Sequence, residues 1–207
     1  MFNVCPKCGI YDVEKEIEPS GYAICPHCDH KQAFKQLPLY VITGASGSGK
    51  TAVCLELSSK TSDFVFIEAD IFWGPHFDKP DEDYKGFRDH CLRTAKNINQ
   101  GGRPVVLCGT ATPDGYENSP ERRYFAHSHY IALVCEDSAL EERLTERPDW
   151  RNSSNRQFIS AMMDFNNWIK INANKTNPPI ILLDNTANTV KQTADQILGW
   201  LHGKTWA

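Results

Sequence analysis

The sequence predicts an α/β fold, with helices on both faces of a parallel sheet, preceded by a small metal-binding unit. Five short apolar segments alternate with five helical segments over most of the chain. The apolar segments contain few polar residues, which is typical of strands that are buried on both faces of a sheet. Four cysteines lie within the first 28 residues, in front of these segments. A chain of 207 residues with 41% hydrophobic residues is long enough for one medium domain and one small one.

The two units meet at Leu37 and Pro38, so that residues 1–36 form the metal-binding unit and residues 38–207 form the α/β domain. We expect five strands, at 39–43, 63–68, 104–109, 129–135 and 179–184. We expect five helices between and after them, at 49–60, 84–100, 138–146, 155–173 and 188–202. The alternation of strand and helix is what a parallel sheet requires, because each crossover needs a long connection.

Composition argues against several classes of protein. No run of apolar residues approaches the length of about 18 that suggests a membrane span. The first residues, MFNVCPKCG, lack the basic and apolar stretches of a secretory signal. We therefore expect a cytoplasmic protein that does not enter a membrane. The net charge of −4 gives no general attraction to nucleic acid.

The first four cysteines have the spacing C-x2-C-x16-C-x2-C, formed by Cys5, Cys8, Cys25 and Cys28. Each C-x-x-C turn offers two thiolates, and structural zinc takes four ligands in a tetrahedron. The spacing predicts one structural zinc ion and resembles that of the zinc ribbon family over roughly residues 3–36. A thioredoxin-like redox motif is the alternative, but it needs no second C-x-x-C pair.

The charge of residues 1–36 bears on the partner of the ribbon. Four lysines stand against five acidic residues, and four thiolates around one Zn²⁺ add further negative charge. Such a unit is poorly suited to neutralising phosphates, so nucleic acid is an unlikely partner. A protein partner, or self-association through the ribbon, is the favoured hypothesis.

The segment GASGSGKT fits the P-loop pattern G-x-x-x-x-G-K-[ST] in full. A predicted strand precedes it and a predicted helix follows it, as the motif requires. Its glycines allow backbone N–H groups to converge on the β-phosphate at the start of a helix, while the lysine reaches the β- and γ-phosphates and the threonine hydroxyl binds magnesium. The predicted nucleotide-binding residues are Gly44, Ala45, Ser46, Gly47, Ser48, Gly49, Lys50 and Thr51.

Two other classes of P-loop protein fit less well. GTPases read guanine with N-K-x-D after a strand, whereas NKTN at 174–177 lacks the acid and precedes a strand. DYKG at 83–86 fits D-x-x-G, but no strand precedes it. Remodelling ATPases need a larger core and an additional helical domain. The small phosphoryl-transfer enzymes remain.

An acidic pair follows the second predicted strand, in the segment FIEADIFW. Glu68 and Asp70 are two residues apart, which would place both carboxylates on one side of the strand, facing the crevice beside the P-loop. We expect Glu68 to hold magnesium and Asp70 to accept the proton of an attacking hydroxyl. The alternative is a strand-end turn with solvated acids.

An arginine-rich segment, ERLTERPDWRNSSNRQ, predicts a flap over the γ-phosphate. Arg147 and Arg151 flank PDW and are the candidates to stabilise the transferring charge, whereas Arg143 fits a solvated helix face. The long aromatic segment after the acidic pair would cover the acceptor. From it we expect Trp73 and Arg88, together with Asp70, to contact the acceptor, although ordinary helix packing is an open alternative for each side chain.

Residues 38–207 resemble the small P-loop kinases of the gluconate kinase, shikimate kinase and nucleoside kinase group. The resemblance is carried by the P-loop, by EAD in the place of D-x-D, by RPDWR in the lid and by LLDNTANTV at 182–190. It implies the three-layer sandwich of P-loop NTPases, with a five-stranded parallel sheet in the order 2-3-1-4-5. It also implies ATP with magnesium as the donor and an alcohol as the acceptor.

The sequence therefore predicts an ATP-dependent kinase that phosphorylates a small hydroxyl compound, such as a nucleoside or a sugar-like molecule. The rival hypothesis is a nucleotide-gated regulatory ATPase whose ribbon docks on protein or nucleic acid. A regulator of that kind needs neither an acceptor base nor a closing arginine flap.

Overall fold

The computed structural model describes residues 2–148 and 153–204. The N-terminal unit contains three short antiparallel strands, β1 (Glu16–Glu18), β2 (Tyr22–Ile24) and β3 (Lys31–Ala33), in that order across the sheet. The four predicted zinc ligands lie in the turns that flank these strands, where their Sγ atoms all lie within 4.8 Å of one another. The unit therefore has the arrangement expected of a ribbon held together at its cysteines.

The second unit is built on a five-stranded parallel sheet. Its strands are β4 (Leu39–Gly44), β5 (Val65–Glu68), β6 (Val105–Cys108), β7 (Ser128–Val134) and β8 (Ile180–Asp184). They lie in the order β5-β6-β4-β7-β8, which confirms the predicted order 2-3-1-4-5. All six residues of the central strand β4 are buried, as its apolar sequence requires.

Helices cover both faces of this sheet, which confirms the three-layer sandwich. The helices are α1 (Lys50–Lys60), α2 (Lys85–Asn99), α3 (Pro113–Glu117), α4 (Asp137–Thr145), α5 (Arg156–Asn172) and α6 (Val190–Lys204). Leu57 of α1 and Ile197 of α6 pack into the core on one face. Leu92 of α2 and Ile169 of α5 pack into the core on the other face. Among the described residues, no helix combines the length and the apolar character needed to cross a bilayer.

The register of the sheet brings the ends of its first three strands to one edge. Cys108, the last residue of β6, is paired with Ile42 of β4 on one side and with Glu68 of β5 on the other. Gly44, where the P-loop starts, lies two residues beyond Ile42 on the same edge. The carboxyl ends of parallel strands are where open α/β folds bind ligands. Phosphate loop and acidic pair therefore meet at this edge.

The ribbon packs directly against the α/β domain. The rings of Phe2 and Phe34 contact the ring of Tyr124, with the Phe2 and Tyr124 centroids 5.3 Å apart. The Tyr124 hydroxyl donates to the Val13 carbonyl at 2.5 Å and accepts from the backbone N–H of Lys15 at 3.1 Å. The two units thus share one small aromatic core.

A buried ion pair lies beneath this aromatic core. The Lys96 ammonium of α2 contacts the Glu121 carboxylate, and their side chains are 1% and 0% exposed. The ammonium also lies 3.8 Å from the centre of the Tyr124 ring. Glu121 also accepts a hydrogen bond from Arg93 Nε at 2.8 Å. Loss of Glu121 would leave the buried Lys96 ammonium uncompensated, which typically costs about 3–5 kcal/mol.

Candidate active site

The P-loop adopts the left-handed backbone that its glycines permit. Gly47 has φ of 89°, and a Cβ atom on it would lie 2.9 Å from side-chain atoms of Leu140 and Leu144. Gly44 is equally constrained, because a Cβ there would lie 2.5 Å from the Leu133 carbonyl oxygen. α1 then begins at Lys50 without a side-chain N-cap. Its first backbone N–H groups are thus available to an anionic ligand, and the helix dipole favours negative charge there.

Lys50 lies across the loop and donates from Nζ to the carbonyl oxygens of Gly44 and Ala45, at 2.8 and 3.0 Å. Burial lowers the pKa of Lys50 to about 8. The neighbouring Asp70 carboxylate opposes this shift, whereas the positive charge of Arg147 adds to it. A ligand that brings further negative charge would favour the protonated form of Lys50.

The acidic pair lies beside the P-loop, but its backbone conformation differs from the predicted one. β5 ends at Glu68, and Asp70 belongs to a short 3₁₀ turn, Ala69–Phe72, so that the two acids do not continue one strand. The Glu68 carboxylate accepts a hydrogen bond from the Thr51 hydroxyl. Both acids nevertheless line one small cavity of about 80 Å³ together with Lys50.

A larger cavity of about 390 Å³ opens on one side of the P-loop. Gly49, Lys50 and Thr51 form its floor, and the loop after β8 forms a wall with Asn185 and Asn188. Arg143 also lines it, which corrects the expectation of a solvated helix face. The Arg143 guanidinium donates to Asn185 Oδ1 at 3.2 Å and to the Asn185 carbonyl at 3.0 Å.

Sequence reasoning identified the segment 182–190 but not the individual residues of this wall. The useful signal for Arg143 is its position in the last turn of α4, close in sequence to the predicted flap residue Arg147. Asn185 and Asn188 could have been singled out because they lie in the loop that follows β8, at the edge of the sheet that carries the P-loop.

The predicted arginine flap is described only in part. Arg147 follows the end of α4 and lines both the 390 Å³ cavity and the small cavity around the acidic pair. Arg151, the second predicted flap residue, lies outside the described residues. Ser153, on the far side of these residues, has a buried hydroxyl that donates to the Leu144 carbonyl at 3.1 Å.

A third cavity, of about 740 Å³, opens on the other side of the acidic pair. Asp70 and the predicted acceptor residues Trp73 and Arg88 all line it. The Trp73 ring is 45% exposed and lies 5.1 Å from the Phe87 ring, centre to centre. Arg88 donates from Nη2 to the Asp83 carboxylate at 2.7 Å. One end of the guanidinium is therefore paired with an exposed acid, whereas its Nε group is buried with no hydrogen-bond partner among the described residues.

The sequence of the second unit matches a known family. A family model described as "AAA domain" matches residues 41–158, which is more than half of the chain. The chain belongs to the AAA domain family. The matched part of this AAA domain contains the P-loop, the acidic pair and the described part of the arginine flap. None of the curated proteins matches the sequence.

Solved structures share the fold of this AAA domain at low sequence identity. A sugar kinase from Janibacter sp. HTCC2649 has a TM-score of 0.63 at 18% identity, over 80% of this chain and 95% of that one. A shikimate kinase from Acinetobacter baumannii, in complex with shikimate, has 0.53 at 18%, over 82% and 96%. A deoxyadenosine kinase from M. mycoides, with bound dCTP, has 0.51 at 15%, over 80% and 99%. The shared feature is the P-loop kinase fold.

The cysteine cluster in front of the AAA domain has the geometry of a metal site. The Cys5 and Cys28 sulfurs are 3.7 Å apart, and the Cys8 and Cys25 sulfurs are 3.8 Å apart. Four sulfurs at about 2.3 Å from one zinc ion, in a regular tetrahedron, would be about 3.8 Å from each other. The donor set and its spacing thus fit structural zinc, with no position left open for a substrate.

Taken together, the AAA domain has one cavity on each side of a small, charged centre. The P-loop side offers backbone N–H groups and a lysine to an anion. The opposite side offers aromatic surface and a carboxylate. Asp70 lines both the central cavity and the aromatic cavity. This arrangement can bring a phosphate and a second small molecule together at one carboxylate.

Proposed function

We propose that the protein is an ATP-dependent kinase that transfers the γ-phosphoryl group to a hydroxyl group of a small molecule. The observation that carries this proposal is the small cavity between the two larger ones. Lys50 and Arg147 line it from the P-loop side, and Asp70 lines it from the acceptor side. Phosphoryl transfer needs such a meeting point, where a phosphate has cations beside it and the incoming hydroxyl has a base.

The donor would bind in the 390 Å³ cavity. The N–H groups of the P-loop and Lys50 would bind the phosphates, and the Arg143 guanidinium offers a planar cation to the base of the nucleotide. Thr51 and Glu68 carry the oxygen ligands that magnesium prefers, and they would hold the ion directly or through water. Magnesium would neutralise charge on the β- and γ-phosphates.

Asp70 would accept the proton of the attacking hydroxyl. It is exposed to the acceptor cavity, so that a substrate can reach it. Lys50 and Arg147 would stabilise the negative charge on the transferring group, in a site where fixed charges need no reorganisation. Arg151, beyond the described residues, is proposed to contribute in the same way.

The lining of the acceptor cavity favours a neutral or cationic ring compound. Exposed faces of Trp73 and Tyr84 suit a base or the apolar face of a sugar. Arg88 is paired with Asp83, and the carboxylates of Asp70 and Asp78 also line the cavity. An acceptor that carries a phosphate or carboxylate would meet net negative charge. A nucleoside or an uncharged or amine-bearing sugar fits better.

The test compares Asp70→Asn with the wild-type protein. Nucleosides, sugars and amino sugars are screened for acceptor-dependent ADP release, with nucleoside monophosphates, gluconate and shikimate as the anionic set. Removal of a positioned base typically lowers the rate about 100- to 10,000-fold. We expect a loss of that size in Asp70→Asn, with ATP affinity by calorimetry nearly unchanged. Asp63→Asn, on an exposed acid before β5, is the matched control and should behave as wild type.

The rival function gives a different result. If no acceptor stimulates ADP release in the wild type, and Asp70→Asn leaves ATP turnover unchanged, the kinase proposal is wrong. A nucleotide-gated regulator would then fit, with the ribbon as its docking unit. Within the kinase proposal, a protein partner or self-association through the ribbon stays a prediction.

A further inference from the structure

Asn185 lies in the loop after β8 and is held by hydrogen bonds to three other segments of the chain. Its side chain is 4% exposed. The Nδ2 group donates to the Ser48 carbonyl of the P-loop at 2.7 Å, and Oδ1 accepts from Arg143 at 3.2 Å. Its backbone N–H donates to the Val134 carbonyl at the end of β7 at 2.9 Å. Through its side chain and its backbone, Asn185 therefore links the P-loop, α4 and the sheet.

The bond to Ser48 fixes the direction of a peptide group. The peptide between Ser48 and Gly49 is planar and trans, so that its carbonyl and its N–H point in opposite directions. When Asn185 holds the Ser48 carbonyl, the Gly49 N–H is turned away from Asn185. Gly49 has φ of 96°, and a Cβ on it would lie 3.4 Å from Asn185 Nδ2, so the two residues are packed closely.

Arg143 in turn holds Asn185. Its Nη2 donates to the carbonyl oxygens of Asn185 and Thr186, at 3.0 and 3.3 Å, and its Nη1 donates to the Asn185 side chain. Hydrogen bonds from an ionised donor are stronger than those between neutral groups. With its oxygen engaged by Arg143, the Asn185 amide must present its NH₂ group to Ser48.

We propose that Asn185 is a positioning residue that aims the Gly49 N–H at the β-phosphate of the nucleotide, and that Arg143 fixes the orientation of its amide. The inference rests on the proposed nucleotide site. Neither the Asn185 amide nitrogen nor the Ser48 carbonyl needs to touch the nucleotide. In Asn185→Ala, Arg143 keeps its bonds to the backbone carbonyls of Asn185 and Thr186 and so stays beside the base. The effect of the Asn185 side chain should therefore depend mainly on the β-phosphate of the ligand.

The first experiment measures the affinities of ADP and AMP for the full chain, by displacement of a fluorescent ADP analogue. Loss of a buried hydrogen bond that leaves a carbonyl unsatisfied corresponds to about a 10- to 100-fold change in an equilibrium. We expect Asn185→Ala to bind ADP more weakly by about that factor. AMP affinity should change less than about twofold, because AMP lacks the β-phosphate.

Asn166→Ala is the matched control. Asn166 is also a fully buried asparagine, and its Nδ2 donates to the Cys135 carbonyl at 2.8 Å. Its removal should lower the melting temperature much as removal of Asn185 does. Because Asn166 does not contact the P-loop among the hydrogen bonds of the described residues, ADP affinity should stay at the wild-type value.

A second variant gives a pH signature that simple destabilisation would not produce. In Asn185→Asp the ionised carboxylate cannot donate to the Ser48 carbonyl, whereas the protonated carboxyl group can. Arg143 faces the introduced carboxyl group and favours its charged form, whereas burial favours its neutral form. The ratio of variant to wild-type ADP affinity should therefore rise as the pH falls from 8 to 5.5, most steeply at the acid end of this range. The titration of ADP itself affects both affinities equally and cancels in the ratio. In Asn185→Ala the same ratio should stay constant.

The inference is overturned if Asn185→Ala binds ADP like the wild type, if it loses AMP affinity to the same extent, or if Asn166→Ala loses ADP affinity equally. A ratio for Asn185→Asp that does not change with pH also contradicts it. Failure of the wild type to bind ADP is a distinct result, because it refutes the proposed nucleotide site rather than the role of Asn185.

Discussion

The pKa of Lys50 leads to a prediction for nucleotide affinity as a function of pH. In the free protein, burial lowers this pKa to about 8, so that half of the molecules carry a neutral lysine near that pH. Bound phosphates would favour the charged form and raise the pKa in the complex. When binding raises the pKa of a group, its protonated form contributes its full share of the binding free energy at pH values below the pKa of the free protein. That contribution is lost as the pH rises from about 8 toward the pKa of the complex.

The size of the effect follows from the free pKa. Between pH 7 and pH 9 the protonated fraction of a group with a pKa of about 8 falls about tenfold, which corresponds to about 1.4 kcal/mol. We expect ADP affinity to fall by about that factor over this range. The phosphate groups of ADP do not contribute, because their last pKa lies at about 6. Calorimetry at several pH values, in buffers of different ionisation enthalpy, should also detect proton uptake on binding above pH 8.

Two lysine variants complete this test. Lys50→Met should bind ADP weakly and with a flat pH profile, because the titrating group is gone. Lys60→Met, at the far end of α1, removes a lysine that pairs with Asp195 at 2.6 Å and should keep the wild-type profile. A flat wild-type profile, or an unchanged slope in Lys50→Met, would refute the assignment of this titration to Lys50.

Two further predictions concern the acceptor cavity and the ribbon. In Gly115→Ala, the new Cβ would lie 2.7 Å from Arg88 Cδ and would displace that side chain. We expect the acceptor KM to rise by roughly 10-fold or more, with unchanged ADP affinity. Gly199→Ala is the control, because a Cβ there meets nothing within 4 Å. Elemental analysis should find one zinc ion per chain in the wild type and less in Cys28→Ser, with a lower melting temperature for the variant. An unchanged acceptor KM in Gly115→Ala would contradict the prediction for the acceptor cavity. Wild-type protein without zinc would contradict the prediction for the ribbon.

Features with local causes could be predicted from the sequence. Each of the five apolar segments contains a strand. Only the inner strands β4, β6 and β7 are almost fully buried, whereas the outer strand β8 leaves Ile181 and Leu182 exposed. The P-loop was recognisable because left-handed positions such as Gly47 require glycine in a fixed pattern. The strand order came from the family resemblance, since periodicity alone does not determine which strands are neighbours.

Features that depend on distant partners could not be predicted in this way. Arg143 and Asn185 are 42 residues apart, and Asn185 and Ser48 are 137 residues apart. No periodic pattern links such positions, so the sequence alone predicts a solvated helix face for Arg143. Short elements were missed for a related reason. α3 has only five residues, one of them a glycine, and too few positions to show helical periodicity.

The aromatic core shared by the ribbon and the AAA domain has a consequence for the order in which the chain acquires its structure during synthesis. If the cysteine cluster takes up zinc as predicted, the ion can be bound before Tyr124 has been synthesised. Tyr124 is made 109 residues after Lys15, to which it is hydrogen-bonded. At a synthesis rate of about 5–20 residues per second, Phe2 and Phe34 would stay uncovered for roughly 5–20 seconds. Early metal capture would hold this nascent segment in shape until translation supplies the surface that covers it.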